Sequence, residues 1–447
     1  MPSARRIGLF PDTYTIDDRY HISIGGLPIR QLAQEFGTPL YVLDYETLRH
    51  RIRSFQQALQ DMNPPGQAFY AGKAFLTKAM AGFLEQQHMG LDVVSGGELY
   101  TALEGGMNPS RIIFHGNVKT DEEIRFGLLR GVGYFVVDSL AELEAISRIA
   151  KEVDKPAPIL LRLTPGIEAH THAFIQTGQF DSKFGFAMQD GIHEVALQRA
   201  LTLPYLELKG FHAHIGSQIF DEDPFVHNAQ RLMEFMHDAL ERYHYWPEVV
   251  DIGGGFGVQY GPDDDPPQVS RILARVNDAM QRMTPHGYAV PTVFIEPGRA
   301  IVAEAGVTIY QVGATKTVPG GKRYAAVDGG MGDNIRPALY QASYTAQVDG
   351  KNPEDRALYT IAGRYCESGD ILVKDIPLPP IEPGDYVVVF GTGAYNFAMA
   401  SNYNRVPRPA VVLVYNGQAS LWVKRESYED MAHNDLPWQD PEEGLWR

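Results

Sequence analysis

At 447 residues the chain exceeds what one hydrophobic core usually organises, so two domains are expected, and 44% hydrophobic against 21% charged residues excludes global disorder. A formal net charge of −16, with no Lys/Arg-rich cluster to overcome it locally, argues against nucleic acid as a partner. The only cysteine, Cys366, can form no internal disulfide, the start has no signal-peptide stretch, and no run approaches membrane-spanning length, which together read as a cytoplasmic protein.

In chain order, short β-like runs at 13–16 and 21–24 come first, followed by a helix over 45–61. Eight β-branched or aromatic runs then alternate with helix-like stretches, at 68–72, 90–94, 111–114, 133–137, 158–163, 208–213, 248–252 and 292–295. Each is followed by polar or glycine residues, and eight such alternations predict a parallel (β/α)8 barrel with its chemistry at the C-terminal strand ends. Ser139-Leu140-Ala141-Glu142 has the spacing of a capping box. The insertion at 166–185, rich in His, Gly and Thr, looks like a functional loop. Beyond Arg299 the texture changes to alternating runs at 307–312, 324–327, 386–390 and 410–415 with Gly/Pro turns, which is a β domain. The opening residues join it, giving a barrel over 45–300 and a discontinuous β domain from 1–44 together with 301–447.

Three strand ends suggest chemistry. Lys73 closes Phe69-Tyr70-Ala71-Gly72-Lys73, where apolar neighbours are expected to lower its pKa and free the amine for imine formation, although most lysines are solvated surface groups. Gly253-Gly254-Gly255-Phe256-Gly257 fits neither the dinucleotide fingerprint nor the P-loop, and is either a plain turn or, with Gly216-Ser217 at the adjacent strand end, a phosphate cradle. Glu296-Pro297-Gly298-Arg299 ends the eighth strand; its carboxylate is either a surface ion-pair partner or a group that keeps a ring nitrogen protonated. His212 and His214 share a face, but without HExxH or a further convergent set no metal is expected.

In their order and spacing these segments resemble the fold-type III pyridoxal-phosphate-dependent decarboxylases. The segments are Phe69 to Ala74, Asp92-Val93-Val94-Ser95-Gly96-Gly97-Glu98, His170-Thr171-His172 with Thr177-Gly178, Asp181-Ser182-Lys183-Phe184-Gly185-Phe186, His214-Ile215-Gly216-Ser217-Gln218, Gly253 to Gly257, Glu296 to Arg299, Arg336-Pro337-Ala338-Leu339-Tyr340, Cys366-Glu367-Ser368-Gly369-Asp370 and Gly393-Ala394-Tyr395. The His-Thr-His to Asp-Ser-Lys-Phe-Gly-Phe stretch is similar to the diaminopimelate branch of that family. The resemblance implies an alanine-racemase-like barrel with a β-sandwich or barrel domain, pyridoxal 5'-phosphate as cofactor, and decarboxylation of meso-2,6-diaminopimelate to L-lysine. It implies catalytic roles for Lys73, His214, Glu296 and Cys366, with Lys73 bonding the cofactor aldehyde, His214 stacking on its ring and Glu296 meeting its ring nitrogen. Ser217, Gly254, Gly255, Gly257, Gly298, Arg299 and Tyr395 would complete the cofactor site. Arg299, Arg336, Tyr340, Glu367 and Tyr395 would hold substrate. Cys366 and Glu367 would come from the second subunit of a homodimer. Gly363-Arg364-Tyr365 departs from the Gly-Pro pair of relatives, which leaves the approach of Cys366 open, and the glycines of Asp328-Gly329-Gly330-Met331-Gly332-Asp333 suggest a mobile loop. The alternatives are a decarboxylase of ornithine or arginine, a fold-related racemase, and a non-catalytic pyridoxal-phosphate carrier.

Overall fold

The computed structural model describes residues 9–167, 183–189 and 191–439. Eight parallel strands close into a barrel: Gln67–Ala71, Gly90–Val93, Ile112–Phe114, Tyr134–Val137, Ala157–Thr164, Leu206–His212, Val249–Asp251 and Thr292–Ile295. Phe294 opposite Gln67 joins the eighth strand to the first, and Phe135 opposite Ile159 joins the fourth to the fifth. All eight fall where the sequence runs place them. Their β-branched and aromatic residues suit strands covered on both faces, and Gly90–Val93 and Ile112–Phe114 are buried throughout. Phe69, Ile113, Val136, Leu160, Val249 and Phe294 fill the barrel interior, so chemistry is confined to the rim.

The helix Tyr45–Gln60 starts where the Asp44 carboxylate accepts from the Thr47 N–H, and it buries Leu48, Ile52, Phe55 and Leu59 at helical spacing. The expected capping box at Ser139 is only half formed. Ser139 accepts from the Glu142 N–H, but the Glu142 carboxylate turns to the Asp138 N–H and the Lys119 ammonium, each at 2.7 Å. Buried Lys119 offers a charge-assisted bond that a capping N–H cannot match.

The second sheet runs in the order Ile371–Leu378, Ala357–Ala362, Arg323–Val327, Gly306–Thr317, Leu40–Asp44, Ala410–Tyr415 and Gln418–Val423. Tyr386–Phe390 also pairs with Gly306–Thr317. Leu40–Asp44, which the sequence reading does not single out, lies between Gly306–Thr317 and Ala410–Tyr415, and every one of its residues is buried. The early strands Thr15–Ile16, Ile22–Ile24 and Leu27–Pro28 form a separate small sheet, whose Ile22, Ile24 and Leu27 pack with Val307, Ile309 and Val388. No helix among the described residues is long and apolar enough to cross a membrane.

Candidate active site

The polar groups gather at the C-terminal rim of the barrel. Lys73 follows the first strand on a short 3-10 turn, Gly72–Ala74, and its side chain is accessible although protein surrounds it on all sides, which places it in a cavity open to water. Burial works to lower its pKa, yet the fields of Tyr395, Asp92 and Glu296 outweigh burial and the pKa is raised. This corrects the sequence expectation of a depressed lysine: apolar neighbours along the chain say nothing of carboxylates that converge from other strands.

Glu296, on the eighth strand's end, is the centre of that field. Its Oε1 lies 2.5 Å from His115 Nε2 and its Oε2 3.3 Å from His212 Nε2, and all three groups are buried. Burial opposes its ionisation, but the two imidazoles prevail and hold the carboxyl well below the usual range. Next to it Asp251, on the seventh strand, is pushed well above the usual range by burial and then by the Glu296 charge. The pair therefore divides its roles, with Glu296 the anion and Asp251 the neutral acid. Asp92, 3.9 Å from His115, is also raised by burial. The sequence reading found no convergent set around His212, whereas the barrel brings His115, His212 and Glu296 together with ligand atoms within 4.8 Å. The 2.5 Å contact is a hydrogen-bond separation between carboxylate and imidazole.

His214 lies beyond His212, half-buried, and its Nδ1 accepts the Gly254 N–H at 3.2 Å, so the ring is neutral at that nitrogen. Burial, then the Lys73 and Arg162 charges, depress its pKa well below the ordinary histidine value. The glycine run is required by close approach. A Cβ on Gly254 would stand 2.2 Å from the Glu296 carbonyl and one on Gly255 2.5 Å from the Gly216 carbonyl, where φ is +101°. Gly298 packs the same way against the Ala71 side chain, and Gly257 against the Ile219 carbonyl. An Ile219–Phe256 bridge sets the Ser217 loop against this run.

Buried Arg299 donates to Ser217 Oγ and to the Tyr260 hydroxyl, both at 3.0 Å, while its buried Nε has no hydrogen-bond partner among the described residues. Arg336, on the helix Arg336–Tyr340, donates to the Tyr344 hydroxyl at 2.6 Å and to the same Tyr260 hydroxyl at 3.2 Å. Tyr395 enters from the second sheet and stands with its ring 4.8 Å from the Arg299 guanidinium. Tyr340 ends its helix half-buried, and it is Tyr344 that meets Arg336. Cys366 and Glu367 are exposed, with Glu367 accepting from Tyr403 at 2.5 Å. Tyr365, in the departure from the usual pair, is buried and stacked on Tyr403. The glycines at 329–332 serve packing: a Cβ on Gly332 would stand 2.0 Å from the Tyr365 hydroxyl and one on Gly330 2.5 Å from the Asp370 carboxylate. The residues 170–172, 177–178 and 181–182 singled out from the sequence lie outside the described residues.

His115, Asp251, Tyr260, Tyr344 and Arg162 are the site residues that sequence reasoning passed over. His115 and Asp251 close the third and seventh strands and carry the strand-end signal; Tyr344 carries none. An accessible amine, a glycine cradle with an unsatisfied arginine donor, and an anionic carboxylate converge on one rim, the donor set that a phosphorylated pyridine aldehyde requires.

Residues 45–303 match the pyridoxal-dependent decarboxylases in their pyridoxal binding domain. The diaminopimelate decarboxylase of Bacillus subtilis strain 168 is 47% identical over 422 residues, which cover 94% of this chain and 96% of that one. The crystal structure of the M. jannaschii diaminopimelate decarboxylase in complex with L-lysine superposes with a TM-score of 0.89 at 34% identity, covering 96% of this chain and 99% of that chain. The Vibrio vulnificus lysine/ornithine decarboxylase with putrescine is more distant, with a TM-score of 0.74 at 25% identity over 87% of this chain and 97% of that chain. With the barrel, the rim chemistry and this extent of identity in agreement, the chain belongs to the diaminopimelate decarboxylases, within the pyridoxal-dependent decarboxylase family.

Proposed function

We propose that the protein is a pyridoxal-phosphate-dependent carboxy-lyase that converts meso-2,6-diaminopimelate to L-lysine and carbon dioxide, the closing step of lysine biosynthesis. The observation that carries the substrate assignment is the pair of buried guanidiniums, Arg299 and Arg336, joined at one phenolic oxygen. A substrate with a second carboxylate satisfies such a pair, and lysine or ornithine leaves it unmatched.

Pyridoxal phosphate, when bound, supplies the conjugated ring into which the electron pair of the broken carbon–carboxylate bond is delocalised. Lys73 would offer its amine to the aldehyde, and the fields of Tyr395, Asp92 and Glu296 favour the charged form of that amine. Glu296, held anionic by His115 and His212, would meet the ring nitrogen and favour its protonated form. His214, neutral and fixed by the Gly254 N–H, supports the ring face without adding a competing charge. Ser217 and the run from Gly253 to Gly257 bring small donors to the phosphate, with Arg299 beside them, and Gly298 lets the Glu296 turn approach the first strand. Tyr395 would join Ser217 and Gly255 on the phosphate side, and Tyr340 would contribute from the helix that bears Arg336. Cys366 would deliver the proton that replaces the lost carboxylate, and Glu367 would meet the distal amine.

Because Cys366 and Glu367 are exposed on their own chain, this assignment takes a homodimer with shared sites as the active unit. The barrel over 45–300, the β domain formed by 1–44 with 301–447, and a cytoplasmic location complete the reading. The test is carbon dioxide release from meso-diaminopimelate, L-lysine, L-ornithine and L-arginine, with and without pyridoxal phosphate. Release from diaminopimelate alone, lost in Lys73→Ala, supports the reading. Release only from ornithine or arginine moves the protein to a sister activity, and no release from any substrate sinks it.

A further inference from the structure

We propose that Tyr260 sets the preference for a dicarboxylic substrate by clamping Arg299 and Arg336 through its phenolic oxygen. The inference deepens the reading above and rests on it.

Both guanidiniums donate to this one oxygen, from Arg299 Nη1 at 3.0 Å and Arg336 Nη1 at 3.2 Å, and both also stand over the Tyr260 ring, at 5.8 and 5.3 Å from its centroid. Two buried cations converging on one point repel each other, and a single acceptor between them offsets that repulsion. The phenol responds as such an acceptor should: burial alone would raise its pKa, but the Arg336 and Arg299 charges outweigh burial and lower it.

The mount is rigid. Asp264 accepts from the Tyr260 and Gly261 N–H groups at 2.9 and 2.8 Å, closing the turn that carries the ring. Tyr344 meets the ring edge-on at 5.7 Å and takes a second donor from Arg336. On the other side Gly391 lies close against the ring: an added Cβ would stand 3.2 Å from it, a tight contact, at a φ of +74°. Besides Nη2 of Arg299, which Ser217 takes, each arginine thus commits only its Nη1 to fixed oxygens. Its remaining donors are presented in a set orientation, and the rotamer entropy that two free arginines would lose on meeting a carboxylate is lost in folding instead. The α-amino-acid end of the substrate makes no use of this clamp, so its effect is confined to ligands that bear the distal carboxylate. Tyr260 is therefore a positioning residue.

The test is Tyr260→Phe, which keeps the ring and removes the oxygen, measured on the cofactor-loaded enzyme. KM for meso-diaminopimelate is expected to rise about ten- to hundredfold, the loss of hydrogen bonds to charged groups. kcat should stay within about threefold, because the clamp acts on binding rather than on the bond that breaks. Inhibition by cadaverine, which lacks the distal carboxylate that L-lysine retains, should be unchanged; a merely structural loosening would weaken both ligands alike. An unchanged KM, or equal weakening of both ligands, overturns the proposal. Asp264→Asn leaves the phenol but loosens its mount, and should give a smaller KM rise in the same direction. If Tyr260→Phe fails to fold, an unchanged KM in Asp264→Asn overturns the proposal instead. Should the wild-type enzyme release no carbon dioxide from diaminopimelate, the functional reading fails by itself. The clamp is then judged on the dissociation constants of diaminopimelate and cadaverine for the wild-type protein and Tyr260→Phe.

Discussion

The Tyr395 backbone N–H donates to the Ala74 carbonyl at 2.8 Å, tying the turn that carries Lys73 to a loop of the second sheet. Tyr395 takes a left-handed conformation, φ 62°, to make this contact. The tie brings its phenol close enough to be, after burial, the strongest influence on Lys73, and it acts to raise the lysine pKa. Tyr395→Phe keeps the backbone tie and removes the phenol, so the Lys73 pKa should fall. The rate at which cofactor-free protein takes up pyridoxal phosphate, followed against pH, should shift toward lower pH in the variant, because only the neutral amine attacks the aldehyde. Coincident profiles would show that the phenol has no hold on Lys73.

Acid should unfold the protein earlier than its net charge alone suggests. Burial pushes His212 down to about 4 from its ordinary 6.5, despite the Glu296 charge that favours the protonated ring. Between those values the unfolded chain binds a proton that the folded chain refuses. The stability tied to His212 is complete above pH 6.5 and is lost as pH falls toward 4, by on the order of 3 kcal/mol. Glu296, held below its usual range, adds to the loss at lower pH. Urea midpoints at a series of pH values should show this slope, and His212→Asn should flatten it; an equally steep slope in the variant would rule His212 out as its source.

Lys119 and Glu142 form a buried ion pair at 2.7 Å, with side chains 1% and 5% exposed, and Lys119 also donates to the Gly116 and Val136 carbonyls. Lys119→Met leaves Glu142 buried without its countercharge and should destabilise the fold by about 3–5 kcal/mol, whereas adding Glu142→Leu should recover much of the loss. Denaturant unfolding of the single and double variants measures this. A double variant no more stable than the single would mean that packing, not the stranded carboxylate, dominates.

The proposed sharing of sites between two subunits makes a specific claim about mixed dimers. Lys73→Ala and Cys366→Ala proteins should each be inactive alone, yet a re-equilibrated equal mixture should regain about one quarter of wild-type activity, since half the dimers are mixed and each of those holds one complete site. If the mixture stays inactive while the subunits demonstrably exchange, Cys366 and Lys73 act within one chain.

Much of the barrel was legible because each strand is a short, local run of β-branched, aromatic or other apolar residues bounded by polar or glycine positions. Lys73, His214 and Glu296 were legible for the same reason, being the residues that stop those runs. Leu40–Asp44 was not, because its place between two strands more than two hundred and fifty residues further on depends on pairing that no local pattern records. The Glu142 carboxylate has the spacing of a capping residue and is drawn away by Lys119, which comes from a different strand-end loop.

The sequence by itself determined the strand–helix alternation, the residues at the strand ends and the glycines that let backbone come close, since these depend on neighbours along the chain. Tertiary structure decided their chemistry. It made Glu296 the anion and Asp251 the neutral acid, raised Lys73 where its flank suggested depression, and joined Arg299 to Arg336 through Tyr260. The physical reason is that charge and burial act through space: a pKa is set by what folding brings within a few ångströms, and the groups that set these ones lie far apart in the chain.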